Sequence, residues 1–436
     1  MTSVLEVMPV TLLTGSRSGP ITGEIDVPGD KSMSHRALIL GALADGETQI
    51  SGLLEADDVL HTADAVRAFG VEVERMAPGE WRVRGHEWRS PAGSIDCGNS
   101  GTGARLLMGA AAGFPISAVF TGDASLRRRP MERVLAPLRA MGSLIEGSTL
   151  PVTIHGGSLH GISFINETAS AQVKSAILFA GLRAEGQVDV LEPRRSRDHS
   201  ENMLRAFGCD VLLEGKTIRL GARRRLIATR VSIPGDPSSA AFPLVAALIV
   251  PGSRMMARRV MVNPLRTGLF KTLVEMGADL KVGDQRIEGG EAVADLTVVA
   301  SSLRGVEVPA DRAPSMIDEY PILAVAAAFA RGRTVMHGLA ELRVKESNRL
   351  AAMVDGLRAC GVEAWEEGDS LTIEGHGCPP PGGALVKAQL DHRIAMSFLV
   401  MGCAAEQTVR VDSSDMIATS FPGFVPLMRS LGALIE

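Results

Sequence analysis

The chain has 436 residues, 45% of them hydrophobic and 22% charged, with a formal net charge of -5. That is the balance of an ordinary globular chain long enough for two or three domains, and it advertises neither nucleic acid nor a membrane surface as a partner. Five scattered cysteines (97, 209, 360, 378 and 403) argue against a disulfide framework or a zinc site and suit a reducing compartment.

The opening Met1-Thr2-Ser3-Val4-Leu5-Glu6 carries no basic segment followed by an apolar core, so no secretion signal is expected. The longest apolar runs, 322–330 and 394–405, fall short of the ~20 residues a spanning helix needs and read as buried core. The expectation is a soluble, cytoplasmic protein.

In chain order, Val27-Pro28-Gly29-Asp30-Lys31-Ser32-Met33-Ser34-His35-Arg36 opens an apolar helix, with Ser32 or Ser34 able to cap it and Lys31 and Arg36 offering charge to an anion. Val59, Ala63, Val66 and Phe69 then recur at helical spacing. Gly70 sits where that helix would end in a left-handed conformation, and Val71 and Val73 begin a strand that turns at Ala77-Pro78-Gly79 into Trp81-Arg82-Val83. The same helix, glycine and short strand recur at Gly142, Gly208, Gly277, Gly361 and Gly432, so six units of about 70 residues fill the chain. A coarser repeat lies over these: Ile233-Pro234-Gly235-Asp236-Pro237-Ser238 echoes the run at Val27. The six units therefore split three and three into two similar α/β domains, joined near 20–24 and 233–236, with a ligand cleft between them.

Basic residues gather at helix starts, where the helix dipole makes a cation unfavourable unless an anion binds. Asn99-Ser100-Gly101-Thr102-Gly103-Ala104-Arg105 is a Gly-rich turn but not a Walker loop, since no Gly-Lys-Ser/Thr ends it. Arg127-Arg128-Arg129-Pro130, Ser170-Ala171-Gln172-Val173-Lys174, Arg194-Arg195-Ser196-Arg197-Asp198-His199, Arg343-Val344-Lys345-Glu346-Ser347-Asn348-Arg349 and Asp391-His392-Arg393 repeat the theme. Singly each has a plain reading as a solvated turn or a cap. Their number and spread over both halves point instead to more than one anionic ligand in a closing cleft. Asp318 and Glu346 stand among them as candidate acid–base groups or ion-pair partners.

The ordered set Pro28 to Arg36, Asn99 to Gly103, Arg129-Pro130-Met131, Ser170-Ala171-Gln172, Arg343 to Ser347 and Asp391 to Met396 resembles the signatures of the enolpyruvylshikimate-phosphate synthases, within the enolpyruvyl transferase family. The resemblance spans essentially the whole chain. It implies two similar domains, each of three βαβαββ units, comprising 21–235 and, together, 1–20 with 236–436, and an active site in the cleft between them. It also implies enolpyruvyl transfer from phosphoenolpyruvate to shikimate 3-phosphate by addition and elimination, with no metal or organic cofactor, in a monomer. Lys31, Gly101, Arg129, Gln172, Arg349, His392 and Arg393 would hold phosphoenolpyruvate. Lys31, Ser32, Arg36, Ser170, Gln172, Arg197, Asp318 and Lys345 would hold shikimate 3-phosphate. Asp318, Glu346 and Lys31 would be catalytic. Glyphosate would occupy the phosphoenolpyruvate site, with the missing methyl of Gly101 leaving it room.

Four positions depart from the family pattern: Thr419 where a lysine is common, Glu341 where an asparagine is common, Ser196-Arg197-Asp198-His199 for Ser-Lys-Pro-Tyr, and Leu106 for a frequent proline. Two alternatives stand beside this reading. One is the related transferase acting on UDP-N-acetylglucosamine, which typically uses a cysteine before its Arg-Pro; 121–128 holds none here. The other is a non-catalytic paralogue that binds phosphorylated metabolites.

Overall fold

The helix Asp57–Ala68 buries Val59, Ala63 and Val66 on one face, and Phe69 follows as its buried C-cap. Gly70 then takes φ +89°, a region cheap only for glycine, and releases the chain into the hairpin Glu72–Ala77 and Glu80–Gly85, where Val73 pairs with Val83. Phe69 stacks on Trp88 with ring centroids 4.3 Å apart, and both are buried. Truncating a fully buried phenylalanine of this kind to alanine costs about 3–5 kcal/mol.

The computed structural model describes residues 12–412 and 414–436; the start of the expected second domain, 1–11, lies outside the described residues. Among the described residues the strands form six four-stranded sheets. One shows the plan. Leu159–Ile165 runs parallel to Ala184–Leu191, which pairs antiparallel with Thr217–Leu220, itself the hairpin partner of Val211–Glu214. The helices Ala171–Gly181 and His199–Ala206 make the connections, giving a βαβαββ unit. The chain is thus a mixed α/β fold of repeated units in two domains, each with its own hydrophobic core.

The first crossing between the domains differs from the expected 20–24. The strand Thr22–Asp26 runs parallel to Arg254–Met261 in the second domain, and Ile21, Ile25 and Val27 join that domain's core. The chain enters the first domain only at 27–30. Conversely, Arg230–Ser232 pairs parallel with Gly46–Ser51 in the first domain, and the chain leaves it at 233–236. Both crossings are Pro-Gly-Asp turns. They lie side by side: Asp30 N donates to Pro234 O and Asp236 N to Pro28 O, each at 2.8 Å. Strand Leu13–Ser16 fills a second-domain sheet between Val409–Val411 and Leu434–Ile435. Among the described residues no helix is long and apolar enough to cross a membrane.

Candidate active site

Among the helices that begin at the cleft are five whose starts carry the expected site residues: Lys31–Leu43, Gly101–Ala112 and Ala171–Gly181 from the first domain, Arg349–Ala359 and His392–Gly402 from the second. None has an acidic residue in its first turn. Each is capped by a side chain just before it: Asp30, Ser100, Ser170, Asn348 and Asp391. The caps satisfy part of each helix end, and the remaining N–H groups and dipoles make the cleft attractive to anions.

All of the residues expected at the site line one cavity of about 230 Å³: Lys31, Ser32, Arg36, Gly101, Arg129, Ser170, Gln172 and Arg197 from the first domain, and Asp318, Lys345, Glu346, Arg349, His392 and Arg393 from the second. Asp318 takes Arg197 Nη2 at 2.8 Å across the seam, and Lys345 Nζ and Arg349 Nη1 at 3.3 Å each. Arg393 donates to its main-chain carbonyl at 3.0 Å. Burial works against ionisation of Asp318, yet Lys345, Arg197, Arg393 and Arg349 hold it well below the ordinary carboxylate range. Glu346 meets Arg349 Nη2 at 2.5 Å and, across the seam, Arg129 Nη1 at 3.4 Å. There too burial is outweighed, by Arg349, Arg129 and Lys345, and the carboxyl lies well below its usual value. His392 is held well below the usual imidazole range by burial first, then by Lys31 and Arg393, and is neutral.

Arg349 is aimed by Asp391, which accepts its Nε at 2.8 Å and also caps the helix that begins with His392. Arg36 donates to the Ser32 carbonyl and to the hydroxyls of Ser175 and Ser200 at 2.7–2.8 Å. Those partners are neutral, and burial pulls its guanidinium down to about 10.

Several cavity residues were not singled out as ligands from the sequence: Asp58, Arg105, Arg133, His199 and Arg266. Arg105 donates to Gln172 Oε1 at 2.7 Å while Gln172 Nε2 donates to Thr102 Oγ1 at 2.8 Å, so the amide is fixed from both sides. Asp58 forms an ion pair with Lys31, although burial raises its carboxyl. Arg105 had a signal, since it closes the Gly-rich motif. Asp58 had none: an acid at a helix start is what the dipole favours anyway.

The departures find partners. Glu341 forms an ion pair with Arg133 at 3.1 Å across the seam. Thr419 offers its carbonyl to Lys31 Nζ at 3.5 Å and its hydroxyl faces His392 Nδ1 at 3.5 Å. Leu106 is fully buried in the first core and does not line the cavity. Among the described residues Asp198, His199 and Glu291 bring potential metal-ligand atoms within 4.8 Å of one another. The oxygens of Glu291 already accept from His199, Asn202 and Asn263, bonds that a metal would have to displace.

The family model described as EPSP synthase (3-phosphoshikimate 1-carboxyvinyltransferase) matches residues 16–428. The chain belongs to the EPSP synthase family. It is 56% identical over 440 residues to a 3-phosphoshikimate 1-carboxyvinyltransferase of Caulobacter vibrioides, covering 98% of this chain and 99% of that one. It is likewise 56% identical over 434 residues to the protein of that name from Phenylobacterium zucineum, covering 98% and 96%. A solved EPSP synthase from Acinetobacter baumannii is 44% identical and superposes with a TM-score of 0.87 over 98% of this chain and 99% of that one. The enolpyruvyl transferase NikO from Streptomyces tendae, 18% identical with a TM-score of 0.78 over 98% of each chain, shares the fold. Membership in the EPSP synthase family does not favour the UDP-N-acetylglucosamine alternative.

Proposed function

We propose that this chain transfers the carboxyvinyl (enolpyruvyl) group of phosphoenolpyruvate to the 5-hydroxyl of shikimate 3-phosphate and releases phosphate, acting as a cytoplasmic monomer. One observation carries the reading: Asp318 and Glu346 lie in a single cavity, each ionised by cations drawn from both domains.

In this reading Arg129, Arg349, Arg393 and Lys31 bind phosphoenolpyruvate, with Gly101, Gln172 and His392 beside them. Arg36, Arg197, Lys345, Ser32, Ser170 and Gln172 bind shikimate 3-phosphate. Asp318 accepts the proton of the 5-hydroxyl as the hydroxyl oxygen bonds to carbon 2 of phosphoenolpyruvate, and Glu346, protonated once the ligands fill the site, delivers a proton to the methylene carbon. Glu346, with Lys31 nearby, then removes a proton from the new methyl group as the C–O bond to phosphate breaks. Each arriving phosphate or carboxylate offsets part of the cationic field, so both carboxylates gain proton affinity when the site fills. The same cations stabilise the charge that develops on the departing phosphate.

Phosphate release from the two substrates with pure protein tests the reading. Turnover by the unmodified chain, lost in Asp318→Asn, is the expected result. Binding of both ligands without phosphate release would instead establish the non-catalytic paralogue.

A further inference from the structure

Behind the wall of the cleft lies a buried charge cluster that the chemistry above does not use. Lys174, in the helix Ala171–Gly181, is fully buried and pairs with Glu192 at 3.0 Å and Glu201 at 2.7 Å. Charges taken out of water in this way are tolerated only when their remaining hydrogen-bonding capacity is met. Glu192 meets it in full. Its Oε1 accepts from Ser196 Oγ at 2.5 Å and Asn166 Nδ2 at 2.9 Å; its Oε2 accepts from Lys174 Nζ and from Ser196 N at 3.2 Å. One side chain thereby ties three segments together: the helix after Ser170, the loop that carries Arg197, and the loop that ends at Ser170.

Asn166 relays the hold. Its Nδ2 also donates to Ser170 O at 3.0 Å, and its Oδ1 accepts Ser170 N at 3.2 Å. Inside this closed loop Ala169 sits at φ +51°, a left-handed conformation that disfavours any residue with a Cβ. Such a conformation persists only where the surroundings over-determine it. Thr168, Ala169 and Ser170 all line the cavity, whereas Glu192, 1% exposed, does not.

We infer that Glu192, acting through Asn166 and Ser196, is a positioning residue that holds Ser170 and Arg197 in register for the sugar-phosphate ligand. The inference rests on the assignment of those two residues to shikimate 3-phosphate under the proposed function. Glu192 does not line the cavity, so its effect on the ligand passes through Ser170 and Arg197. The phosphoenolpyruvate half, built on Arg129, Arg349 and Arg393, shares no hydrogen bond with it.

The test is steady-state kinetics on Glu192→Gln, which keeps the shape but gives up one acceptor oxygen, and on Asn166→Ala, a milder change should the first variant fail to fold. The KM for shikimate 3-phosphate should rise about tenfold, the worth of one or two lost hydrogen bonds. The KM for phosphoenolpyruvate should rise by less, since Arg129, Arg349 and Arg393 are untouched, while kcat can fall because Arg197 also pairs with Asp318. Ala169→Gly placed on Asn166→Ala should recover part of the loss, because glycine adopts φ +51° without strain. An unmoved KM for shikimate 3-phosphate in folded protein, or an equal rise in both KM values, overturns the inference. Failure of the unmodified protein to release phosphate would sink the functional reading and the inference with it; normal turnover beside an unmoved KM sinks the inference alone.

Discussion

Asp30 and Asp236 face one another across Arg266, which donates Nη1 to the first and Nη2 to the second, each at 3.0 Å. All three are buried, and the two aspartates occupy the same place in the two Pro-Gly-Asp turns. Burial works against both carboxylates, but they part company. Arg266, His199 and the Met33 N–H hold Asp30 below its ordinary range, while Asp236, beside the charge of Asp30, is pushed above it.

Arg266→Met leaves two buried carboxylates without their shared cation and should destabilise the fold by about 3–5 kcal/mol. Of the two neutralising changes, Asp236→Asn should cost less than Asp30→Asn, because Asp236 is the partner already pushed toward its protonated form. Urea midpoints for the three variants check the order; an Asp30→Asn protein as stable as Asp236→Asn would contradict it.

Glu346→Gln should lower kcat by about 10²–10⁴, the worth of a positioned acid–base group. It also removes the carboxylate that occupies Arg129 and Arg349 in the empty site. Phosphoenolpyruvate binding should therefore hold or tighten while turnover collapses. Isothermal titration beside phosphate release separates the two, and near-normal turnover would reduce Glu346 to a structural partner of the arginines.

Stability should decline as pH falls below about 6.5, the unfolded imidazole value. His35 and His392 are buried neutral, with folded pKa values well below that, lowered by burial first and then by Lys31 and a neighbouring arginine. The unfolded chain therefore takes up protons first, at up to about 1.4 kcal/mol per pH unit for each histidine. Asp318 and Glu346 act lower still: with depressed folded values, their contribution is present above about pH 4 and is lost as pH falls through those values. Urea midpoints between pH 7.5 and 5.5 should show the slope, and His35→Gln should remove about half of it. A slope unchanged by that variant would place the proton uptake elsewhere.

A methyl group at Gly101 would stand 2.9 Å from Arg105 Nη1 and 3.1 Å from Arg129 Nη1, both of which line the cavity, so both guanidinium ends must give way. Gly101→Ala should weaken glyphosate by an overpacking cost of about 1–3 kcal/mol, or roughly 5- to 150-fold, and the shorter phosphoenolpyruvate by less. Leu106, turned into the core, should not contribute. Titrations competitive with phosphoenolpyruvate decide it. Full activity of the unmodified protein at millimolar glyphosate would show that Gly101 does not govern access.

Much of this was legible because the unit repeats. A glycine at the end of a repeated helix, as at Gly70 and Gly208, marks the hand-over to a hairpin, and local chemistry alone dictates it. The exchange of Thr22–Asp26 and Arg230–Ser232 between domains was not legible, since a short strand carries no mark of which sheet receives it. At the site, residues in Gly-, Ser- and Pro-flanked motifs were readable as ligand contacts. Glu192 and Arg266 were not: each is a lone charged residue in sequence, and its meaning comes from partners far along the chain, such as Asp30 for Arg266 and Asn166 for Glu192.

The two adjacent crossings also set the mechanics of the molecule. A single tether would let one domain swivel and twist on the other, but two antiparallel strands of chain bonded at Gly29 and Gly235 define a line. Motion that keeps those bonds is rotation about that line, a single degree of freedom. Arg129, Arg197 and Arg133 already meet Glu346, Asp318 and Glu341 across the seam, so rotation about that line would part all three pairs together. Opening of the cleft and separation of the acid–base groups from those cations would then be one and the same coordinate.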